Sequence, residues 1–438
     1  MNPFGLRLIV AAGVAAVGLL AAGCPKTGSD PFAGPSPFEL GPERMMTADL
    51  SLPADAPAVA WNGEDFFVVW SARRAGATDL FGARIAPDGN PVDRSPRLIS
   101  SSPGNQKRPS VAWGRDLFLV VWEDDRSGVS RIIGARITPR GDVLEPNGFA
   151  IAGGRREQTA PLVTWTGSRF MIVWAETFGG VGDRDLYGTA LDPAINATAP
   201  GGMPLVVAPG DQFQPAVAWG PDFGLLVWSD GRSGGSDPSL IDLYAERLGL
   251  DGRRLDPDTL LVTGAAGPQS FPAAAWDGTQ FDLVWVDRRE GRDLIYGTAI
   301  SAKGLLRNPG GLPITSGPAE NGPPALALAG NDMTGRAMEQ IVGQMVGFWT
   351  EIGQGQQLAV GRVWPNGFEP LPSLAGPVTY VQADSAPRLQ AAATNRGELL
   401  VVWAGLSTGS GAVSQIFSRQ IAVKETVDRS QEPRDSSQ

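Results

Sequence analysis

The run Pro57-Ala58-Val59-Ala60-Trp61-Asn62-Gly63-Glu64-Asp65-Phe66-Phe67-Val68-Val69-Trp70 decides the fold. Two short apolar stretches flank Asn62-Gly63, a pair suited to the positive φ of a tight hairpin turn, so the run reads as strand, turn, strand. The same block returns from Pro109 to Trp122, Pro161 to Trp174, Pro215 to Trp228 and Pro272 to Trp285. In every copy a first tryptophan (Trp61, Trp113, Trp165, Trp219, Trp276) stands nine residues before the second. Looser copies run from Pro324 to Trp349, around an insertion, and from Pro387 to Trp403. Successive closing tryptophans lie 52, 52, 54, 57, 64 and 54 residues apart, which counts seven units, or six if the stretch closing at Trp349 is not one of them.

After the closing tryptophan comes a polar loop and a third apolar segment. It reads Asp79-Leu80-Phe81-Gly82-Ala83-Arg84-Ile85 in the first unit and Asp242-Leu243-Tyr244-Ala245-Glu246-Arg247-Leu248 in the fourth. Turn residues such as Pro87-Asp88-Gly89 lead to a weaker fourth segment, for example Arg97-Leu98-Ile99. Each unit is therefore expected to be a four-stranded antiparallel meander. Its first two strands are apolar at consecutive positions, so each small sheet needs cover on both faces. Sheets stacked around an axis provide that cover. Alanine-rich first strands suit the crowded centre, and tryptophans fill the widening gaps farther out. Immunoglobulin-like sandwiches need about 100 residues each and alternating strands; the period here is half of that. The expectation is an all-β chain, a seven-bladed β-propeller of four-stranded antiparallel blades, with six blades as the other count.

The last unit stops after its third strand, Gln415 to Ile421, while Glu43 to Leu52 holds the place of a fourth strand just ahead of Pro57. Pairing of 43–52 with the last unit would close the ring and remove an open sheet edge. The domain reading is a signal segment at 1–23, a tether at 24–42, the propeller at 43–423 and a disordered tail at 424–438.

Composition narrows the chemistry. The chain has 438 residues, 42% of them hydrophobic, enough for a sizeable core. It has no His and a single Cys, which excludes a Ser-His-Asp triad, a Cys-His pair, a His-ligated zinc and an internal disulfide. A formal charge of −10 argues against nucleic acid as a partner. No catalytic residue, metal or cofactor is assigned.

Arg7 is the only charged residue before an apolar run from Leu8 to Ala22, too short to span a bilayer and suited to a cleavable export signal. The ending Leu20-Ala21-Ala22-Gly23-Cys24 resembles the lipobox of bacterial lipoproteins, with Ala21 where leucine is commonest. That resemblance implies acylation of Cys24, a membrane held through lipid, and a mature chain that starts there. Pro25 follows, not the aspartate that resembles an inner-membrane retention signal, so the expected address is the outer membrane or cell surface. From Pro57 to Ile421 the recurring Pro, Trp, turn Gly and Asp-Leu-Tyr pattern resembles WD-repeat-like propellers of the TolB type and repeats of uncharacterised bacterial surface lipoproteins. The usual Ser-Pro-Asp-Gly turn is missing. The resemblance implies a fold and leaves activity open.

Two residues after the closing tryptophan an acid recurs as Asp124, Glu176, Asp230, Asp287 and Glu351; four residues after it an arginine recurs as Arg74, Arg126, Arg232 and Arg289. The meander places these loops on the same side as the links between units. Two readings follow. The charges form a ring that binds a polar ligand, or each acid caps its own loop and pairs with its neighbouring arginine. Adjacent acids such as Asp124 with Asp125, or Asp183 with Asp185, raise a further reading as hydrolytic carboxylates. The insertion from Asn331 to Gln344 reads as a docking element or a packed surface loop. The expected role is a binding or scaffolding module for an envelope protein or glycan, with a carbohydrate-active hydrolase as the alternative.

Overall fold

The structure, a computed structural model, describes residues 38–47, 52–178, 183–234, 237, 239–316, 318–329, 344–352, 356–364, 367–370, 376–377, 389–394, 398–406 and 413–423. The segments read as signal and most of the tether, with Cys24, lie outside them, as do nearly all of the insertion and the tail at 424–438.

The described strands form seven sheets, so the count is seven blades. Blade one orders Ala54–Trp61, Phe66–Arg74, Ala77–Ile85 and Arg97–Ser100 as an antiparallel meander. Blades two to five repeat that order and begin at Gln106, Gln158, Gln212 and Gln269. Blade six departs from four strands. Glu320–Asn321 and Ala325–Ala329 share the partner Gln344–Ile352, and two short outer strands share Gln356–Trp364. Blade seven takes three strands from the end of the chain and its outermost from the start.

Second strands are buried along nearly their whole length because alternate side chains serve opposite neighbours. Phe67 and Val69 of blade one pack with Val111, Phe118, Val120 and Trp122 of blade two. Phe66, Val68 and Trp70 pack with Leu400, Val402 and Ile416 of blade seven. This two-sided burial joins the last blade to the first and explains the missing alternation. Closing tryptophans sit within these interfaces, and burying each contributes on the order of 3 kcal/mol.

First strands start three residues ahead of the proline, not at it. The residue before proline is left-handed in blades one to five: Ala56 (φ 52), Arg108 (φ 48), Ala160 (φ 51), Gln214 (φ 52) and Phe271 (φ 52). At that point the register slips by a bulge in each blade. Proline offers no N–H to the ladder and keeps its predecessor out of the right-handed α region, and the bulge absorbs both effects. The N–H groups at two bulges reach back one blade: Ala160 donates to Glu123 Oε1 (2.6 Å) and Phe271 to Gln214 Oε1 (2.9 Å).

The closing strand is Phe38–Met45, paired with Ser414–Val423, and not 43–52. The strand carries Pro42, but on the outermost edge a proline removes no needed donor, and the register shifts between Leu40 and Glu43 to accommodate it. The propeller thus takes up residues 38–42, which the sequence reading gave to the tether. Beyond Met45, the Met46 N–H still donates to Ile416, Thr47 Oγ1 to Gln415 Oε1, and Gln415 Nε2 to the Leu52 carbonyl.

Candidate functional site: the acid and arginine loops

The loops between second and third strands share a face with the links between blades, here the loop face. The N–H groups of Arg73, Asp125, Thr177, Gly231 and Arg288 bond the carbonyls of Pro53, Asn105, Glu157, Asp211 and Pro268. The opposite side, the turn face, carries the first-to-second and third-to-fourth turns.

Asp124, Asp230 and Asp287 each end a second strand with the side chain turned back into the same blade. Asp230 Oδ2 accepts from Trp228 Nε1 (2.7 Å), while Arg232 donates from its backbone N–H and Nε to Oδ1 (2.8 and 2.9 Å) and from Nη2 to Oδ2 (2.7 Å). Asp287 repeats the arrangement with Trp285 (2.9 Å) and Arg289 (2.9, 2.9 and 2.6 Å). Asp124 does so with Trp122 (3.0 Å) and Arg126 (3.1, 2.7 and 2.5 Å). All three carboxylates have no exposed side-chain surface, while their arginines keep about a quarter to a third of theirs. Burial is the largest influence on Arg232 and opposes its charge, but the hydrogen bonds it donates to Asp230, together with the attraction of that carboxylate and its neighbours, hold the guanidinium above its ordinary range. For Arg289 the hydrogen bonds it donates to Asp287 are the leading cause of the same upward shift.

In blades four and five a tyrosine of the third strand completes this clamp, within Asp242-Leu243-Tyr244 in one and Asp293-Leu294-Ile295-Tyr296 in the other, while blade two has Ile133 at that place. In register, Trp228 faces Tyr244 and Trp285 faces Tyr296. The guanidiniums of Arg232 and Arg289 lie over those tyrosine rings, each 4.1 Å from the centroid. An indole N–H, a bidentate arginine and an aromatic floor thus lock the base of the loop in blades four and five.

Blade three reaches the same result with other residues. Glu176 accepts from Trp174 Nε1 (3.3 Å) and Gln158 Nε2 (3.4 Å), and Arg156, from the preceding link, stands 3.5 Å away and covers the Phe178 ring at 3.7 Å. Blade one has Ala72 at the acid position; the carboxylate moves to its cross-strand partner Asp79, which binds Arg74 Nε at 2.8 Å. Blade seven has Gly405 there, and the buried Trp403 Nε1 finds no partner among the described residues. Glu351 is half-buried and faces Asn321 across blade six. The structure therefore places these nine recurring acids and arginines in six separate blades and brings them together only within each blade. Asp124 and Asp125 part company as well, since Asp125 accepts from the backbone and side chain of Asn105 (2.5 and 2.8 Å).

Residues the motif search missed complete the picture. Gln106, Gln158, Gln212 and Gln269 open the first strands, fully buried, opposite Asp124, Glu176, Asp230 and Asp287. Their amides donate to carbonyls of the preceding link. A glutamine three residues before the proline was the available signal. Two buried acids break the repeat. Glu246, opposite Leu226, meets Arg254 at 2.8 Å, and burial pushes its carboxyl up to about 7. Asp282, held by Gln280 Nε2 at 3.0 Å, is pushed up to about 7 by burial and then by Asp277. Among the described residues no group of three or more acid or thiol side chains is placed to hold a metal ion.

No protein-family profile and no curated protein matches the chain. Solved structures do. A protein of unknown function from Dyadobacter fermentans matches 89% of this chain and 100% of its own at 10% identity, with a TM-score of 0.50. A puromycin-hydrolyzing peptidase of Mycobacterium tuberculosis matches 88% of this chain at 16% identity and TM-score 0.49, and the chain spans 55% of that protein. A thermostable family-43 glycoside hydrolase matches 62% of this chain and 97% of its own at 10% identity and TM-score 0.37. At such identities the likeness concerns the fold.

Proposed function

We propose that this protein is a lipid-anchored binding or scaffolding module of the cell envelope, which takes a protein or glycan partner on the loop face. The observation that supports this reading is the division of labour in the loops. In blades two, four and five their bases are fixed by buried carboxylate, arginine and tryptophan, while their tips differ from blade to blade and stay exposed, as Val129 and Leu240 do. A rigid ring with a repeated base and varied tips is suited to recognition. Cys24 supplies the anchor, and acyl chains hold such a ring at a membrane when two or more are attached.

The test is capture from envelope extract by the immobilised ring, compared with Val129→Glu and Leu240→Glu on the loop face and Leu144→Glu on the turn face. The proposal expects a partner retained by the parent and by Leu144→Glu and lost by at least one loop variant. Retention by all four proteins alike, or by none, overturns it. A mass measurement on cell-derived protein tests the anchor separately: acyl chains on a mature chain starting at Cys24 are expected.

A further inference from the structure

We propose that the ring rests on the lipid surface with its turn face down and its loop face outward; this deepens the reading above and depends on the anchor at Cys24. The position and direction of the first strand carry the argument. Phe38–Met45 runs antiparallel to Ser414–Val423, with Phe38 beside Val423 and Met45 beside Phe417. Leu399, which opens the second strand of that blade straight after its first turn, lies beside Ile421. Phe38 is therefore level with the turn face, and the chain climbs to the loop face before entering blade one.

Residues 25–37 separate Cys24 from Phe38, a reach of about 45 Å when fully extended. The blade, judged by the eight residues of Phe38–Met45, is roughly 26 Å tall. With the turn face down, the whole reach is slack. To set the loop face on lipid, more than half of it would be spent on running up the side of the ring.

The turn face also presents what a lipid surface accepts. Val92, Leu144 and Leu255 hold one equivalent position in blades one, two and four, donating to the carbonyls of Arg84, Arg136 and Arg247. They are 41%, 44% and 49% exposed, and Leu305 of blade five is 66% exposed. Charges on these turns are mixed, with Arg140, Arg253 and Lys303 against Asp88, Asp142 and Asp251, all exposed. Aliphatic contact, not net charge, is the attraction offered here.

The experiment couples the chain starting at Cys24 through its thiol to a maleimide phospholipid in phosphatidylethanolamine and phosphatidylglycerol vesicles. Its outcome is thus independent of acylation in the cell. A donor dye is attached through an azido residue at position 88 on the turn face or 127 on the loop face, and energy transfer to an acceptor lipid is read. Transfer at least threefold greater from position 88 is expected, and unchanged by high salt. Equal transfer from both positions, or more from 127, overturns the proposal. A missing acyl group in cell-derived protein would overturn the anchor reading instead.

Discussion

At the residue scale, the repeated aspartates hold the architecture together. Asp230 receives four hydrogen bonds with no solvent to replace them, so removing either partner leaves a buried charge or a buried indole N–H unsatisfied. Asp230→Ala and Arg232→Ala are each expected to cost about 3 kcal/mol in chemical denaturation. Asp251→Ala, from an exposed pair whose side chains are 56% and 80% accessible, should cost under about 0.5 kcal/mol. Blade seven, with Gly405, shows what the acid does by lacking it: the indole goes unpaired among the described residues.

Glu246 and Asp282 make stability depend on pH between the ordinary carboxylate range and neutrality. Both are pushed up to about 7, chiefly by burial, so between the ordinary carboxylate range and pH 7 the folded state binds protons that the unfolded chain releases. Stability contributed by these groups is therefore present at about pH 4 and is lost as pH rises to 7. The melting temperature is expected to fall from pH 5 to pH 8. Glu246→Gln with Asp282→Asn should flatten that decline, as scanning calorimetry across the range would show.

At the scale of the element, the pre-proline bulge sets the geometry of the first strand. Ala160 is held at φ 51, a conformation that costs an alanine roughly 1–2 kcal/mol relative to its preferred regions. Ala160→Gly is expected to stabilise by about 1 kcal/mol and Ala160→Val to destabilise by at least as much, measured by urea denaturation. Close approach matters more at Gly114. A Cβ there would sit 2.1 Å from the Trp165 ring of the next blade, which explains a glycine where blade one has Asn62.

The strands themselves were legible because Trp, Pro and turn Gly recur at fixed spacing. The bulge was not. It depends on what proline cannot donate to a neighbouring strand, and the motif read only along one strand. The tyrosine floor of the clamp was equally hidden: Trp228 and Tyr244 are sixteen positions apart and meet only through cross-strand register.

For the whole molecule, the closing strand decides whether seven blades form one ring. Phe38–Met45 covers the last strand of blade seven and is clasped by Met46 and Thr47 contacts just beyond it. Deleting residues 1–45 is expected to leave Ser414–Val423 as an open edge, to lower the melting temperature by ten degrees or more, and to produce self-association visible by light scattering. A deletion ending at residue 37 should change neither measurement.

By itself the sequence determined the all-β class, the unit and its sevenfold repetition, because a tryptophan and a turn glycine impose the same local geometry wherever they recur. It also placed the acids and arginines on one face, since strand alternation alone fixes which loops share a side. Only the tertiary structure decided that Asp124, Asp230 and Asp287 each clasp the arginine of their own blade, that the closing strand is Phe38–Met45, and that Glu246 and Asp282 are buried. Those outcomes depend on which strands lie side by side and how much water they exclude, and neither is encoded in local spacing.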